Sequence, residues 1–147
     1  MDITSFSGNY RFLSNFYPCK ITLEGITYPS SEHAYVAYKT LDIDMRKRIA
    51  EQVKTANDVK KIGRNLELRP DWEKVKFNIM TFICEAKFKQ NPDLMEKLRE
   101  TGHAKLIEGN TWGDRIWGEC PIGNGKNWLG KILMGIRDCT FERLLND

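Results

Sequence analysis

A chain of 147 residues, 41% hydrophobic and 29% charged, is long and apolar enough for one folded core, and no run approaches the roughly 18 apolar residues of a membrane span. Its 23 basic and 20 acidic side chains leave a net charge of +3, too mild for a nucleic-acid track but suited to a small anionic ligand. Four scattered cysteines (Cys19, Cys84, Cys120, Cys139) without a C-x-x-C pair, and two distant histidines, argue against a zinc site or disulfide framework and point to free thiols in a reducing cytoplasm.

The opening MDITSFSGNY lacks a basic-then-apolar pattern, so no signal peptide is expected. Residues 6–18, FSGNYRFLSNFYP, read as a loop. Phe12, Leu13 and Phe16 suit a core, while Asn15 beside Phe16, Tyr17 and Pro18 suits a stacking surface with a hydrogen-bonding amide next to it. Residues 20–28, KITLEGITY, predict a hairpin turning at Glu24-Gly25.

The second strand runs into residues 30–39, SSEHAYVAYK, a predicted short helix. Ser30 or Ser31 caps its start, and Glu32 falls in the first turn, where free N–H groups favour a carboxylate. Lys39 follows seven residues on, nearly two turns, which puts it on the face of Glu32 about 10 Å along the axis. That spacing suits the two sides of one small ligand; a solvated helix with an acid at its start and a base at its end has the same pattern.

Residues 42–54 predict an amphipathic, mostly solvated helix with apolar Ile43, Met45, Ile49 and Val53 among many charges, and 56–65 a second short one with Gly63 as C-cap. Arg64 and Arg69 bracket a turn before Trp72 and are either solvated or a bidentate phosphate clamp. Residues 70–90 carry the longest helical period, through Trp72, Val75, Ile79, Phe82, Ile83 and Ala86, with Met80 beside it. Residues 92–101 predict a helix ending at Gly102.

Residues 103–118, HAKLIEGNTWGDRIWG, predict strands at 104–107 and 115–117 around a loop. Asp114 stands there among Trp112, Trp117 and two glycines, either as a turn acid or as a holder of a ribose hydroxyl. Residues 123–130, GNGKNWLG, are neither a Walker A motif nor a Rossmann turn, but a glycine-bearing loop opening a helix over 129–145, with Leu129, Ile132, Leu133, Ile136 and Phe141 apolar.

FLSNFYP (12–18), YPSSEHAYVAYK (28–39), Gly63-Arg64, RPDW (69–72), Lys87-Phe88, GDRIWG (113–118) and GKNWLGKILMGIR (125–137) occur together and in order. In this combination the sequence resembles the NADAR family, also called YbiA-like. The resemblance implies an α+β fold, a helix-rich compact single domain over residues 1–147 with a small β-sheet or hairpins. It implies an N-glycosidase acting on a ribosyl C1–N bond, without metal, cofactor or membrane. Two substrates are associated with the family: ADP-ribose on guanine bases of nucleic acid, and the ribosyl-phosphate aminopyrimidines of riboflavin synthesis.

Carried over onto matching positions are Asn15, Phe16, Glu32, Lys39, Arg64, Trp72, Asp114, Trp117, and Asn127 to Gly130. Breaking a C1–N bond requires a counter-charge at the sugar, a proton for the leaving nitrogen and a nucleophile. Glu32, Lys39 and Asp114 are the expected catalytic groups and are expected to line one cavity. Asn15, Phe16, Arg64, Trp72, Trp117, Asn127 and Gly130 are the expected binders of base, ribose and phosphate. A non-catalytic ADP-ribose or nucleotide-binding module would use the same aromatic and arginine residues.

Overall fold

The computed structural model describes residues 1–110, 114–119 and 125–146, with side chains described through Cys139. Expectations placed on Trp112, Gly113, Cys120, Gly123 and Asn124, and on the side chain of Phe141, lie outside these residues. The chain packs as two compact units, Asn15–Asn91 and Met1–Ser14 with Pro92–Asp147. Among the described residues the fold is α+β: six α-helices, a 3-10 helix and one two-stranded antiparallel sheet.

The Asn15–Asn91 unit begins with the predicted hairpin. β1 (Ile21–Leu23) pairs antiparallel with β2 (Ile26–Tyr28), with Leu23 opposite Ile26. The two turn residues, Glu24 (φ 50°) and Gly25 (φ 83°), are both left-handed, the geometry that matches the strands' own twist. Glu24 tolerates that conformation while its carboxylate accepts the Tyr38 hydroxyl at 2.8 Å. Along β1, Gln90 acts as a short extra strand: its amide oxygen accepts the Thr22 N–H at 2.7 Å and its nitrogen donates to the Thr22 carbonyl at 2.8 Å.

Four helices follow: α1 (Ser31–Ala37), α2 (Ile43–Gln52), α3 (Ala56–Gly63) and α4 (Trp72–Gln90). The first three are capped by Ser30, Asp42 and Thr55, whose side chains accept N–H groups of His33, Met45 and Asp58. Each such cap stabilises by about 1 kcal/mol. α1 sits among α2, α3 and α4, burying Ala34, Val36 and Ala37.

Two expectations are corrected in this unit. The helix read over residues 30–39 stops at Ala37, because the Lys39 N–H folds back to the Val36 carbonyl at 3.1 Å in a tighter turn. The buried stripe of α4 runs through Trp72, Met80, Ile83, Cys84, Lys87 and Phe88, with Phe82 left 45% exposed against the Tyr38 ring at 6.3 Å. A fully buried lysine on that stripe hides it from a purely apolar count.

In the other unit, residues 8–13 form a 3-10 helix (Gly8–Leu13) inside the stretch read as loop, and it delivers Phe12 and Leu13 to the core. α5 (Pro92–Glu100) and α6 (Trp128–Asn146) pack together with Leu94, Leu98, Leu129 and Leu133 buried. α5 ends as predicted, with Gly102 at φ 62° donating to the Arg99 carbonyl. The strand expected at 104–107 is a single parallel bridge between Leu106 and Ile3. Residues 115–117 form no strand, because Asp114 Oδ1 accepts the N–H groups of Ile116 (3.1 Å) and Trp117 (3.0 Å) and curls the chain.

Candidate active site

The start of α1 is fixed from three directions. Ser30 Oγ accepts the His33 N–H at 3.1 Å, and the same hydroxyl lies 2.6 Å from His33 Nδ1. His33 Nε2 lies 2.8 Å from the Val53 carbonyl, which only accepts, so Nε2 carries the proton and Nδ1 receives the Ser30 hydroxyl proton. Burial pushes the His33 pKa below 6.5, against the opposing hydrogen bond to Val53, and keeps the ring neutral. Between these residues, the Glu32 N–H donates to the Asn15 carbonyl at 3.0 Å. Glu32 therefore leaves the first turn of α1 from a backbone held by a cap, a buried imidazole and the preceding loop.

Lys39 leaves the other end. Its ammonium lies 5.5 Å from the Tyr35 ring centre and 6.0 Å from that of Trp72, and the two rings tilt against each other at 5.2 Å. Its own carbonyl accepts the Arg69 N–H at 2.8 Å, which ties the turn before α4 to the end of α1. α3 approaches without a side chain: a Cβ at Gly63 would lie 3.0 Å from Val36 Cγ2 and 3.5 Å from Lys39 Nζ. Gly63 was expected as the C-cap of α3; instead Arg64 is the cap, and Gly63 is the point of close approach. Burial lowers the Lys39 pKa; Glu32 works against this, and Lys60 and Lys76 add to it.

Asn15 is buried; its amide nitrogen points to Met80 Sδ at 3.5 Å and its Oδ1 is buried with no hydrogen-bond partner. Phe16 is 38% exposed, with Lys60 Nζ 5.6 Å from its ring centre. Trp72 is buried against Tyr35 and Lys39, a floor rather than an open stacking face. Arg64 is exposed at the end of α3. Arg69 is engaged by Asp71 through two hydrogen bonds, at 2.6 and 3.1 Å, which removes it from the expected phosphate clamp. Gly63 as a neighbour of Lys39 was missed, because nothing local in the sequence shows that α3 packs against the end of α1.

Asp114, Trp117, Asn127 and Gly130 belong to the other unit. Asp114 is bracketed by Asn110, whose Oδ1 accepts its N–H and whose Nδ2 donates to its carbonyl. Trp117 meets Trp128 edge-on at 5.7 Å. Asn127, at φ 49°, donates Nδ2 to the Leu106 carbonyl and accepts the Glu108 N–H, so its amide splints two segments of backbone. A Cβ on Gly130 would lie 2.1 Å from the Leu106 carbonyl oxygen, so only glycine fits there. Among the described residues no cluster of metal-ligating side chains is present, and no helix is long and apolar enough to cross a membrane.

A model of the NADAR domain matches residues 5–140. The N-glycosidase YbiA of Shigella boydii is 40% identical over 136 residues, covering 91% of this chain and 84% of that protein. A riboflavin biosynthesis protein of Vibrio vulnificus is 40% identical over 135 residues, 88% of this chain but 35% of that longer protein. The NMR structure of Escherichia coli YbiA superimposes with a TM-score of 0.86 at 36% identity, over all of this chain and 88% of that one. By the extent of these matches, the chain belongs to the NADAR domain family.

Proposed function

We propose that Glu32 and Lys39 cleave the C1–N bond of a phosphorylated ribosyl compound. The chain is a hydrolase of N-glycosyl bonds, the activity its relatives are named for. The observation that supports the assignment is the Glu32–Lys39 pair: a carboxylate in the first turn of a short, pinned helix and, just past the helix end, a half-buried amine over the Tyr35 and Trp72 rings. As the C1–N bond stretches, positive charge grows on the ribose and electron density on the nitrogen. The Glu32 carboxylate faces the first and draws a proton from the attacking water. The Lys39 ammonium faces the second and donates its proton, which burial makes easier to give up. Water ends on C1 as a hydroxyl, and the nitrogen leaves protonated.

The Vibrio relative's name favours a ribosyl-phosphate aminopyrimidine of riboflavin synthesis as substrate. ADP-ribose on guanine presents the same ribosyl C1–N bond and phosphate. Mass spectrometry of the protein incubated with each substrate separately decides: release of ribose 5-phosphate supports the first, release of ADP-ribose the second. Tight binding of either with no product contradicts hydrolysis and leaves a binding module.

A further inference from the structure

Glu32 leaves from the first turn of a seven-residue helix, too short to persist in water without outside support. The support is buried: Ser30 is 2% exposed and His33 is 1% exposed. Val53 sets the protons of this pair. Its carbonyl takes the Nε2 proton at 2.8 Å, so Nδ1 is the acceptor for the Ser30 hydroxyl at 2.6 Å, and the same hydroxyl oxygen accepts the His33 N–H at 3.1 Å. A ring that gains a proton donates from both nitrogens. The bond to Val53 survives, but the Ser30 oxygen then faces two donors and must turn its own proton away. Among the described residues Nδ1 is the one acceptor that hydroxyl has. The charged and titratable groups of the packed elements are engaged elsewhere. Arg46 of α2 donates to the Ala37 and Thr40 carbonyls, Lys60 of α3 lies over Phe16, Lys76 of α4 pairs with Glu73, Glu24 of the hairpin takes the Tyr38 hydroxyl, and Tyr28 of β2 meets the Tyr38 ring. On α1 itself Glu32 is the adjacent residue, and Lys54, next to Val53, is exposed. Burial and the Val53 hydrogen bond are what act on the ring's affinity for a proton.

We propose that the hydrogen-bonded Ser30–His33 pair positions the Glu32 carboxylate for catalysis, and that a proton on the His33 ring undoes this, so that the ring gives hydrolysis an acid limb of its own. This rests on the function proposed above and adds to it a positioning residue that is itself sealed from substrate. The two residues stand on either side of Glu32 in the chain, and the Glu32 N–H between them is tied to the Asn15 carbonyl at 3.0 Å. The direction in which the carboxylate leaves is therefore set by bonds that tolerate one tautomer of one neutral ring. The sign follows: His33 titrates below 6.5 in the fold, so positioning is complete above pH 6.5 and is lost as the pH falls through the folded pKa. A displaced carboxylate costs rate rather than affinity, since what it supplies is a near-attack geometry.

The test reads kcat, KM and the protonation of the ring together, in the wild type, His33→Gln, His33→Asn and Ser30→Gly, with turnover taken per folded molecule by circular dichroism. Glutamine keeps an N–H for Val53 and loses the acceptor for Ser30; asparagine keeps an oxygen near the place of Nδ1. Glycine caps a helix nearly as well as serine, so Ser30→Gly removes the bond to the ring and spares the helix. His33→Gln and Ser30→Gly lower kcat by about tenfold or more and leave KM within about twofold, and His33→Asn recovers most of kcat. In the wild type, kcat falls below pH 6.5 with the midpoint that nitrogen NMR gives for the His33 ring, and both His33 variants lack that limb. The protection factor of the Glu32 amide, measured by hydrogen exchange without substrate, falls over the same range. An acid limb unchanged in His33→Gln, or wild-type kcat per folded molecule in both His33→Gln and Ser30→Gly, overturns the proposal. So does a Glu32 amide whose protection ignores the titration of the ring. The exchange and NMR measurements need no turnover, so the coupling of His33 to Glu32 and the hydrolysis itself fail separately.

Discussion

At the scale of single residues, Lys39 carries a cost. An amine desolvated by Tyr35, Trp72 and α3 is destabilised in its charged form, and its lowered pKa records this. Lys39→Met keeps the apolar stem and removes the charge. We expect it to raise stability at pH 7 by about 1 kcal/mol in urea unfolding while turnover is lost. His33 makes a prediction of opposite kind. Its ring is neutral when folded and titrates below 6.5, whereas the unfolded ring titrates near 6.5, so the unfolded chain takes up the proton first. Stability is therefore complete above pH 6.5 and falls as the pH drops through that value toward the folded pKa. In His33→Gln, urea midpoints measured from pH 8 to 5 lose that component of the fall. Asp114 separates two roles within one side chain, since Oδ1 accepts two N–H groups that an amide oxygen also serves. Asp114→Ala costs about 1 kcal/mol of stability, as the loss of a cap does. Asp114→Asn keeps the turn, so a fall in its turnover reports on the charge alone.

At the scale of elements, what matters is how closely α3 approaches the end of α1. The helix is admitted by Gly63, not by its caps or its apolar face. A methyl group there presses on Val36, a β-branched side chain with little freedom to move, and reaches Lys39 next. Gly63→Ala raises intrinsic helix propensity by nearly 1 kcal/mol, yet we expect a net loss of stability and a fall in kcat of about tenfold or more. Improved stability with unchanged kcat contradicts this close contact. The hairpin behaves in the same way at Gly25, where φ is 83°: Gly25→Ala strains the turn that feeds α1 and lowers the thermal midpoint without touching the chemistry.

At the scale of the whole chain, local signals carried most of the secondary structure. Ser30 announces its helix by capping chemistry, Glu24-Gly25 its turn, and Gly102 its helix end, because each acts within a few residues of itself. Features that depend on a second element were not legible. Lys87 is buried by its surroundings and shifts the inward stripe of α4 away from Phe82. Arg69 is captured by Asp71, and Asn127 by the backbone at Leu106 and Glu108, so residues that look free in the sequence are already occupied. Gly63 reads as a cap from its position and proves to be a contact only once α1 is beside it. Residue identity supplied the chemistry, and tertiary packing decided which groups remained available for it.

The central claim is that Glu32 and Lys39 break a ribosyl C1–N bond. Its most direct test is single-turnover release of ribose 5-phosphate from the ribosyl-phosphate aminopyrimidine, or of ADP-ribose from modified guanine, by wild type, Glu32→Gln and Lys39→Ala of equal folded content. Loss of proton transfer and charge stabilisation predicts rates at least about a hundredfold lower in both variants. Wild-type rates in either variant contradict the claim.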